Sequence, residues 1–305
     1  MNFFTLNFFR KMILIRGFSL FLLVFAFCGC QKKPQLSSSL TKEEQKDLDY
    51  LLRYVMIHGS GLFVLFGSKP LCDTGFFDSL VESGDGPYRR NLHDGWKAWE
   101  KLQATLPSPR RFLLIKEPVT HSFLWPEGKS QDQQLHRIIL VDVQKTAFVL
   151  AENYEVFKKF TGSDFHPLEA AFEIEDPNSR FWNAIFNYKK KDSETRDHAL
   201  AQIVAGLLFG FGKHNTLFWT WHQEFENKKG KVADYLKNAK FPGSIISEPT
   251  LSNKDLPLDS LFIPTYRTLE ENEMTELYKK ELRKIKKLYR GKDFLEVTLL
   301  QLSKT

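Results

Sequence analysis

Two cysteines, Cys28 and Cys30, are the residues whose placement in this sequence most clearly indicates chemistry. They follow the run GFSLFLLVFAF, residues 17–27, which contains no charged residue. The segment before that run has no acidic residue, and its charges are Arg10, Lys11 and Arg16. A basic segment followed by a short apolar run is typical of a signal peptide, whereas a membrane-spanning helix needs about 20 apolar residues. We therefore predict a signal peptide over residues 1–29, and not a buried core helix.

The residues around the two cysteines fit an ordinary secretory cleavage site badly, because that site needs two small residues in an A-x-A arrangement. The stretch Phe27-Cys28-Gly29-Cys30 instead resembles the lipobox of bacterial lipoproteins, in which a hydrophobic residue and two mostly small residues precede a lipidated cysteine. Gly29 agrees with that motif, whereas Phe27 replaces the usual Leu and Cys28 is an uncommon occupant. We predict lipidation at Cys30, because the alternative acceptor, Cys28, directly follows the bulky Phe27. The resemblance implies that Cys30 becomes the N-terminus and carries fatty acyl chains such as palmitate.

The expected location follows from that lipid anchor. A lipoprotein cysteine usually carries two or three acyl chains, and two or more chains hold a protein stably on a membrane. Residues 31–40 (QKKPQLSSSL) are polar, so residues 30–40 form a predicted tether whose last ten residues reach at most about 35 Å. Gln31, and not Asp, follows the lipidated cysteine, which favours the outer membrane if the cell has two membranes. We expect residues 41–305 to be a globular domain of the cell envelope, outside the cytoplasm.

Charge and cysteine content exclude some partners. The formal net charge of +6 falls to +3 when the three cations of residues 1–29 leave with the signal peptide. That value is too small to indicate a nucleic acid as partner. Cys72 then remains as a single free cysteine, so no intramolecular disulfide is expected despite export. A buried structural thiol is a commoner role for such a cysteine than a nucleophile. The predicted partners are the membrane, through the anchor, and a protein at the envelope.

The glycine-rich stretch GLLFGFGKH, residues 206–214, has a superficial likeness to a phosphate-binding loop. Its spacing is one residue too long for that loop, and His214 stands where a hydroxyl residue should bind magnesium. Its glycines also end a predicted helix, whose C-terminus carries the negative end of the dipole. Asn215 replaces the third glycine of a dinucleotide-binding fingerprint. We predict that Gly206 and Gly210 allow close helix packing and that Gly212 caps the helix.

No other motif indicates a reaction. The stretch WTWHQEFE, residues 219–226, has one histidine among carboxylates, but no second histidine at metal-ligand spacing. The chain contains no G-x-S-x-G nucleophile elbow. We therefore assign no catalytic, metal-ligating or cofactor-binding residue.

The predicted last helix begins with four glutamates and ends among eight cations, which are Lys279, Lys280, Arg283, Lys284, Lys286, Lys287, Arg290 and Lys292. One interpretation is complementarity to the helix dipole together with a solvated face. The alternative is a basic patch that contacts anionic lipid head groups.

The elements expected to carry these residues alternate between helices and short strands. A capping box, Thr41 to Glu44, opens the first helix. Four segments are predicted strands: Leu62–Phe66, Phe112–Lys116, His121–Trp125 and Arg137–Val143. A polar connection over 82–91 leads to a helix around Trp96, Trp99 and Leu102. Further helices are predicted over 146–160, 166–175, 177–190 and 195–211, and a last one from a capping box at Thr268 to Gly291. The fold class is α+β, a helix-rich single domain with a small sheet of about four or five strands.

Three stretches of this domain, at residues 60–72, 139–148 and 207–215, resemble segments of uncharacterised lipoproteins from Chlamydia-like bacteria. The resemblance implies anchoring and one shared domain, and it brings no catalytic residue. We expect an envelope lipoprotein that serves as a binding or interaction protein. An envelope hydrolase with a non-contiguous active site is the alternative, and it would need a deep polar pocket with a Ser, Cys72 or a His beside a carboxylate. A third alternative is an uncleaved N-terminus that acts as a plain membrane anchor.

Overall fold

The structure is a computed structural model that describes residues 36–78, 87–118, 135–176, 178–186, 198–218, 220, 256–264 and 272–305. The chain divides into two units, Met1–Ser38 and Ser39–Thr305. A 3-10 turn at Leu36–Ser39 lies at the boundary, and all the other elements belong to the second unit.

The first helix, α1, spans Lys42–Arg53 and starts at the predicted capping box. The Oγ1 atom of Thr41 accepts the N–H of Glu44 at 3.2 Å, and the Glu44 carboxylate accepts the N–H of Thr41 at 2.7 Å. The helix continues as one π-helical turn, Tyr54–His58, and ends at Gly59. These contacts confirm the predicted start and end of the helix.

The predicted strand at Leu62–Phe66 is wrong, because Gly61–Phe66 is a short helix, α2. Ser60 turns the chain into it with a φ of 60°. The residues from Gly61 to Leu65 are all buried. A short apolar run that is buried on every side shows no periodicity, so its sequence does not distinguish a strand from a buried helix.

Three strands form one antiparallel sheet in the order β1-β3-β2 within the described residues. They are β1 (Leu71–Asp78), β2 (Phe112–Pro118) and β3 (Leu135–Asp142). The predicted strands at β2 and β3 are confirmed, β1 was not predicted, and His121–Trp125 lies outside the described residues. The helix-rich α+β class is therefore confirmed, whereas a sheet of four or five strands is not.

The helices of the middle of the chain begin with α3, Pro87–Gln103, which starts inside the segment predicted to be a connection. The predicted helix over 146–160 is two helices, α4 (Val143–Glu152) and α5 (Tyr154–Thr161), separated at Asn153. Next come α6 (Pro167–Phe172) with a 3-10 turn at Glu173–Glu175, α7 (Arg180–Phe186), α8 (His198–Leu208) and α9, described over 213–218.

The C-terminal part contains a 3-10 turn, Leu258–Ser260, and two helices, α10 (Glu273–Tyr289) and α11 (Phe294–Leu302). Asn272 caps α10 by accepting the N–H of Thr275 at 3.2 Å. The predicted capping box at Thr268–Glu271 therefore does not start this helix, and it lies outside the described residues. Helix α11 was not predicted.

Helices cover both faces of the sheet. On one face Leu71, Ile139 and Val141 belong to a buried cluster with residues of α4 to α8. On the other face Leu140 is fully buried and lies against Gly61 of α2. Helix α1 packs against α3, and α10 packs against α2. The sheet is thus the central layer of the domain.

Candidate ligand-binding site

A cavity of about 660 Å³ opens between the loop that follows α2, helix α4, the end of α8 and the start of α10. Its volume lies in the usual range for small-molecule sites. The polar and charged lining residues are Ser68, Arg111, Gln144, Lys145, Glu152, Asn153 and Lys213.

The carboxylate of Asp142 fixes two of the cations that line this cavity. Asp142 is the last residue of β3 and the N-cap of α4, where Oδ1 accepts the N–H of Lys145 at 3.2 Å. Its Oδ2 accepts Nη2 of Arg111 at 2.8 Å and lies 3.0 Å from Nζ of Lys145. Asp142 is fully buried, whereas the two cations are partly exposed. The carboxylate therefore lies behind the cations, which face the cavity.

Lys145 is further fixed by the end of α2. Its Nζ donates to the carbonyl of Val64 at 2.6 Å. Burial lowers the pKa of Lys145 below its ordinary value, and the neighbouring Asp142 opposes that shift. The ammonium is thus anchored on its inner side by two acceptors.

Ser68 carries a hydroxyl to the cavity, and a carboxylate lies beside it. Burial raises the pKa of Glu281 in α10, although the polar groups of the neighbouring Ser68 and the charge of Lys145 oppose the rise. Within the described part of the chain, Oε2 of Glu281 has no hydrogen-bond donor.

Part of the cavity lining is apolar. It includes Phe148, Val149, Leu207, Met274 and Leu277. Phe148 is 62% exposed to solvent. The lining therefore combines apolar side chains with three cations, Arg111, Lys145 and Lys213, and one carboxylate, Glu152.

The glycines that end α8 form one wall. Gly210 and Gly212 have φ angles of 74° and 77°, a conformation that residues with a Cβ rarely adopt. The hydroxyl of Tyr278 in α10 donates to the carbonyl of Gly210 at 2.6 Å and joins this wall to α10. The helix ends at Leu208, three residues before the predicted end at Phe211. Gly210, and not the predicted Gly212, lies in its terminal turn, where the N–H of Gly210 donates to the carbonyl of Leu207 at 3.1 Å. A cavity lined by Gly210, Gly212 and Lys213 was not predicted.

The residues singled out from the sequence have separate places. Cys30 and the stretch 219–226 fall outside the described residues, except for Thr220. Cys72 lies in β1, fully buried, and burial raises the pKa of its thiol to about 12. It does not line the cavity.

No histidine or cysteine is among the described residues that line the cavity. In the described ranges no three His, Cys, Asp or Glu residues are grouped so that they could hold a metal ion.

Two features of the sequence could have indicated this region. Asp142 lies where a strand ends and a helix starts, and Arg111 directly precedes a strand.

Among the described helices, none is long and apolar enough to cross a membrane. No family model matches the chain, and the comparisons with curated proteins and with solved structures found no match.

Proposed function

We propose that the chain is an exported lipoprotein of the cell envelope, anchored through Cys30, whose folded domain binds a small ligand. The signal-like residues 1–29 and the lipobox-like residues 27–30 support the anchor. The cavity supports binding as the role of the domain.

Fatty acid labelling tests the anchor directly. Cells given a clickable fatty acid should label the wild-type protein and the Cys28→Ala variant. The Cys30→Ala variant should be unlabelled and should accumulate as the unprocessed precursor. Label that persists in Cys30→Ala would contradict Cys30 as the acceptor.

The proposed ligand is a small organic anion with an apolar part. The observation that carries this proposal is that Arg111 and Lys145 line the same cavity as apolar side chains such as Phe148 and Leu277. An anionic group would be attracted to the cations, and its apolar part would cover the exposed phenyl ring. This arrangement follows the usual pattern of a largely apolar pocket with a few polar groups that fix orientation.

Three water-soluble probes of similar shape differ in charge and distinguish the contribution of charge to binding from that of apolar contact. They are 3-phenylpropanoate, its amide and 3-phenylpropylamine. We expect saturation-transfer NMR on the full-length protein to detect the carboxylate, the amide weakly and the amine not at all. Phe148→Ser should abolish the signal, and Lys213→Gln should weaken binding by about fivefold at most, since its side chain is exposed. Leu168→Ser and Lys304→Gln, at other exposed positions, serve as matched controls. Equal signals from all three probes would contradict the proposal.

An envelope hydrolase remains the second candidate because Ser68, which lines the cavity, neighbours the carboxylate of Glu281. A carboxylate whose pKa is raised by burial is a stronger base, which suits it to accept the proton of a nucleophile. A fluorophosphonate probe should then label the wild-type protein and not Ser68→Ala, with Ser303→Ala as the control. Absence of labelling in the wild type would remove this candidate.

We also propose that the sheet has a fourth strand at His121–Trp125. The segment contains aromatic and apolar residues beside polar ones, as strands do. Slow amide hydrogen exchange over these residues is the expected result, and rapid exchange throughout would contradict it.

A further inference from the structure

Four exposed cations lie on one face of α10, and the exposed Arg290 directly follows the helix; we call this set the α10 cation face: Lys280, Arg283, Lys284, Lys287 and Arg290. Relative to Lys280, the other three cations within the helix lie at i+3, i+4 and i+7, spacings that place side chains on one side of a helix. Lys292 adds an exposed cation just after the helix.

The opposite side of α10 fixes the direction of this face. Tyr278, Ile285 and Tyr289 are buried. The ring of Tyr278 packs edge-on against Phe63 with centroids 5.4 Å apart, and that of Tyr289 does the same with Phe66 at 5.7 Å. The helix is therefore held in one rotation, and the cations face solvent together.

Within the described part of the chain, the α10 cation face forms no ion pair. The ion pair on α10 joins Lys279 and Glu276 at 3.1 Å, on another side of the helix and nearer its start. Among the described residues, no carboxylate oxygen lies within 4 Å of a charged nitrogen of the α10 cation face. The described residues therefore leave these five charges without an ion-pair partner.

The helix dipole accounts for only part of this set. Its effect falls off within the last turn, which contains Lys286 and Lys287. Lys280, Arg283 and Lys284 lie before that turn. Cations at these positions therefore call for a different explanation.

An exposed leucine lies beside the cations. The Leu288 side chain is 36% exposed, and it is one turn after Lys284 on the helix. Cations interspersed with an apolar residue suit the head-group region of a membrane, where both kinds of side chain find favourable contacts.

We propose that the α10 cation face docks on an anionic lipid surface of the membrane that holds the Cys30 anchor. The anchor is part of the proposed function, and this inference rests on it. The face has more cations than the net charge of +3 expected for the mature chain, so the rest of that chain carries a net negative charge. The tether keeps the domain close enough to the membrane for contact: residues 31–40 would reach at most about 35 Å if fully extended, and the 3-10 turn at Leu36–Ser39 shortens that reach.

The test places a reporter on the face. The protein is used in its processed form, with an environment-sensitive dye attached at Leu288→Cys. It is bound to vesicles that contain a head-group quencher. Cys72 is fully buried and does not compete for the dye. We expect strong quenching on phosphatidylcholine with phosphatidylglycerol, weak quenching on phosphatidylcholine alone, and loss of the difference at high salt. The same dye at Leu168→Cys should show no such difference.

Charge reversal identifies the residues responsible. Each cation near an anionic surface raises the ratio of docked to undocked domain about fivefold. Replacing three cations should therefore lower this ratio roughly a hundredfold, and repulsion of the new glutamates should lower it further. The variant is Lys280→Glu with Lys284→Glu and Lys287→Glu. The control variant has the same net charge and carries Lys42→Glu, Lys46→Glu and Lys304→Glu at other exposed positions. Urea unfolding checks that both variants are folded.

Two results would overturn the proposal. Equal quenching on the two kinds of vesicle would show that the face does not bind anionic lipid. DNA is added so that its phosphate concentration equals the concentration of anionic lipid head groups. Displacement of the domain from the vesicles by this DNA would indicate a soluble polyanion as the preferred partner. A separate assay tests the anchor: a protein without a working anchor is released from phosphatidylcholine vesicles in a high-salt wash. The dye signal on anionic vesicles measures docking independently of that result.

Discussion

The guanidinium of Arg111 lies against the carboxylate of Asp142, with Nη2 2.8 Å and Nε 3.2 Å from the same Oδ2 atom. Arg111 precedes β2, and Asp142 ends the neighbouring strand β3. The pair therefore joins two strands at the edge of the cavity. It also sets the charge that a ligand meets, because the buried carboxylate keeps two cations in place.

Asp142→Asn should destabilise the domain by about 3 kcal/mol. The amide removes the negative charge that Arg111 and Lys145 share, and it leaves two partly buried cations without their partner. Urea unfolding followed by circular dichroism measures the loss. Asp94→Asn is the matched control, since its pair with Lys97 is 3.5 Å long and exposed, and it should cost less than about 0.5 kcal/mol. Equal losses in the two variants would contradict the structural role of Asp142.

Gly206→Ala tests the close approach of α8 and α9. A Cβ at Gly206 would lie 2.6 Å from Oγ1 and 2.7 Å from Cγ2 of Thr216, which is buried. Overpacking of this kind costs about 1–3 kcal/mol, which opposes the roughly 1 kcal/mol that alanine gains over glycine in a helix. We expect Gly206→Ala to destabilise the wild type.

The same change should be neutral or stabilising in a Thr216→Ala background, because both clashing atoms are gone. Within the described residues Oγ1 of Thr216 has no hydrogen-bond partner, so Thr216→Ala breaks no side-chain hydrogen bond there. A double-mutant cycle of unfolding free energies measures the coupling. A coupling near zero would show that the two residues do not touch.

Local sequence patterns predicted the elements that are fixed by local interactions. The capping box at Thr41 and Glu44 marks the start of α1 because both hydrogen bonds form within four residues. Gly206 and Gly210 were predicted to allow close helix packing, and the close approach of Gly206 to Thr216 confirms this for Gly206. Strand β3 was predicted because it is a long run of apolar, largely β-branched residues.

The errors occur where tertiary contacts decide the structure. The helical segment Leu62–Phe66 is buried by α10 and the sheet and is apolar on all sides. Its sequence therefore shows no hydrophobic periodicity from which a helix could have been predicted. The cavity was not predicted because its lining residues extend from Ser68 to Leu277 and come from five separate parts of the chain. Only the strand pairing and helix packing bring Arg111, Lys145 and Lys213 to the same cavity.

Cys72 should be unreactive in the folded protein. Burial raises the pKa of its thiol to about 12, so the reactive thiolate is scarce at mildly alkaline pH. We expect mass spectrometry of the peptide that contains Cys72 to show no iodoacetamide adduct in native buffer and full modification in urea. Leu288→Cys, on the exposed surface of α10, should be modified in native buffer. Native modification of Cys72 at the rate seen in urea would argue against a structural role.

Lys69 is a buried cation beside the cavity wall, and its Nζ lies 5.8 Å from the ring centres of both Phe209 and Phe211. Burial lowers the pKa of Lys69 below its ordinary value of 10.5, against the weaker opposing charges of Cys72 and Asp73. Between the lowered pKa and the ordinary one, the unfolded chain binds a proton that the folded chain does not. The contribution of Lys69 to the free energy of unfolding therefore rises as the pH increases through that interval.

Lys69→Met should remove this pH dependence, because methionine fills a similar volume and carries no charge. The variant should be more stable than the wild type near neutral pH, where the wild type either holds a buried ammonium or loses a proton on folding. The gain should shrink as the pH approaches the ordinary lysine value, where neither state of the wild type binds the extra proton. Urea unfolding at a series of pH values measures both proteins, with Lys304→Met as an exposed control that should show no such trend. A gain that stays constant with pH would mean that packing, and not the charge of Lys69, distinguishes the two proteins.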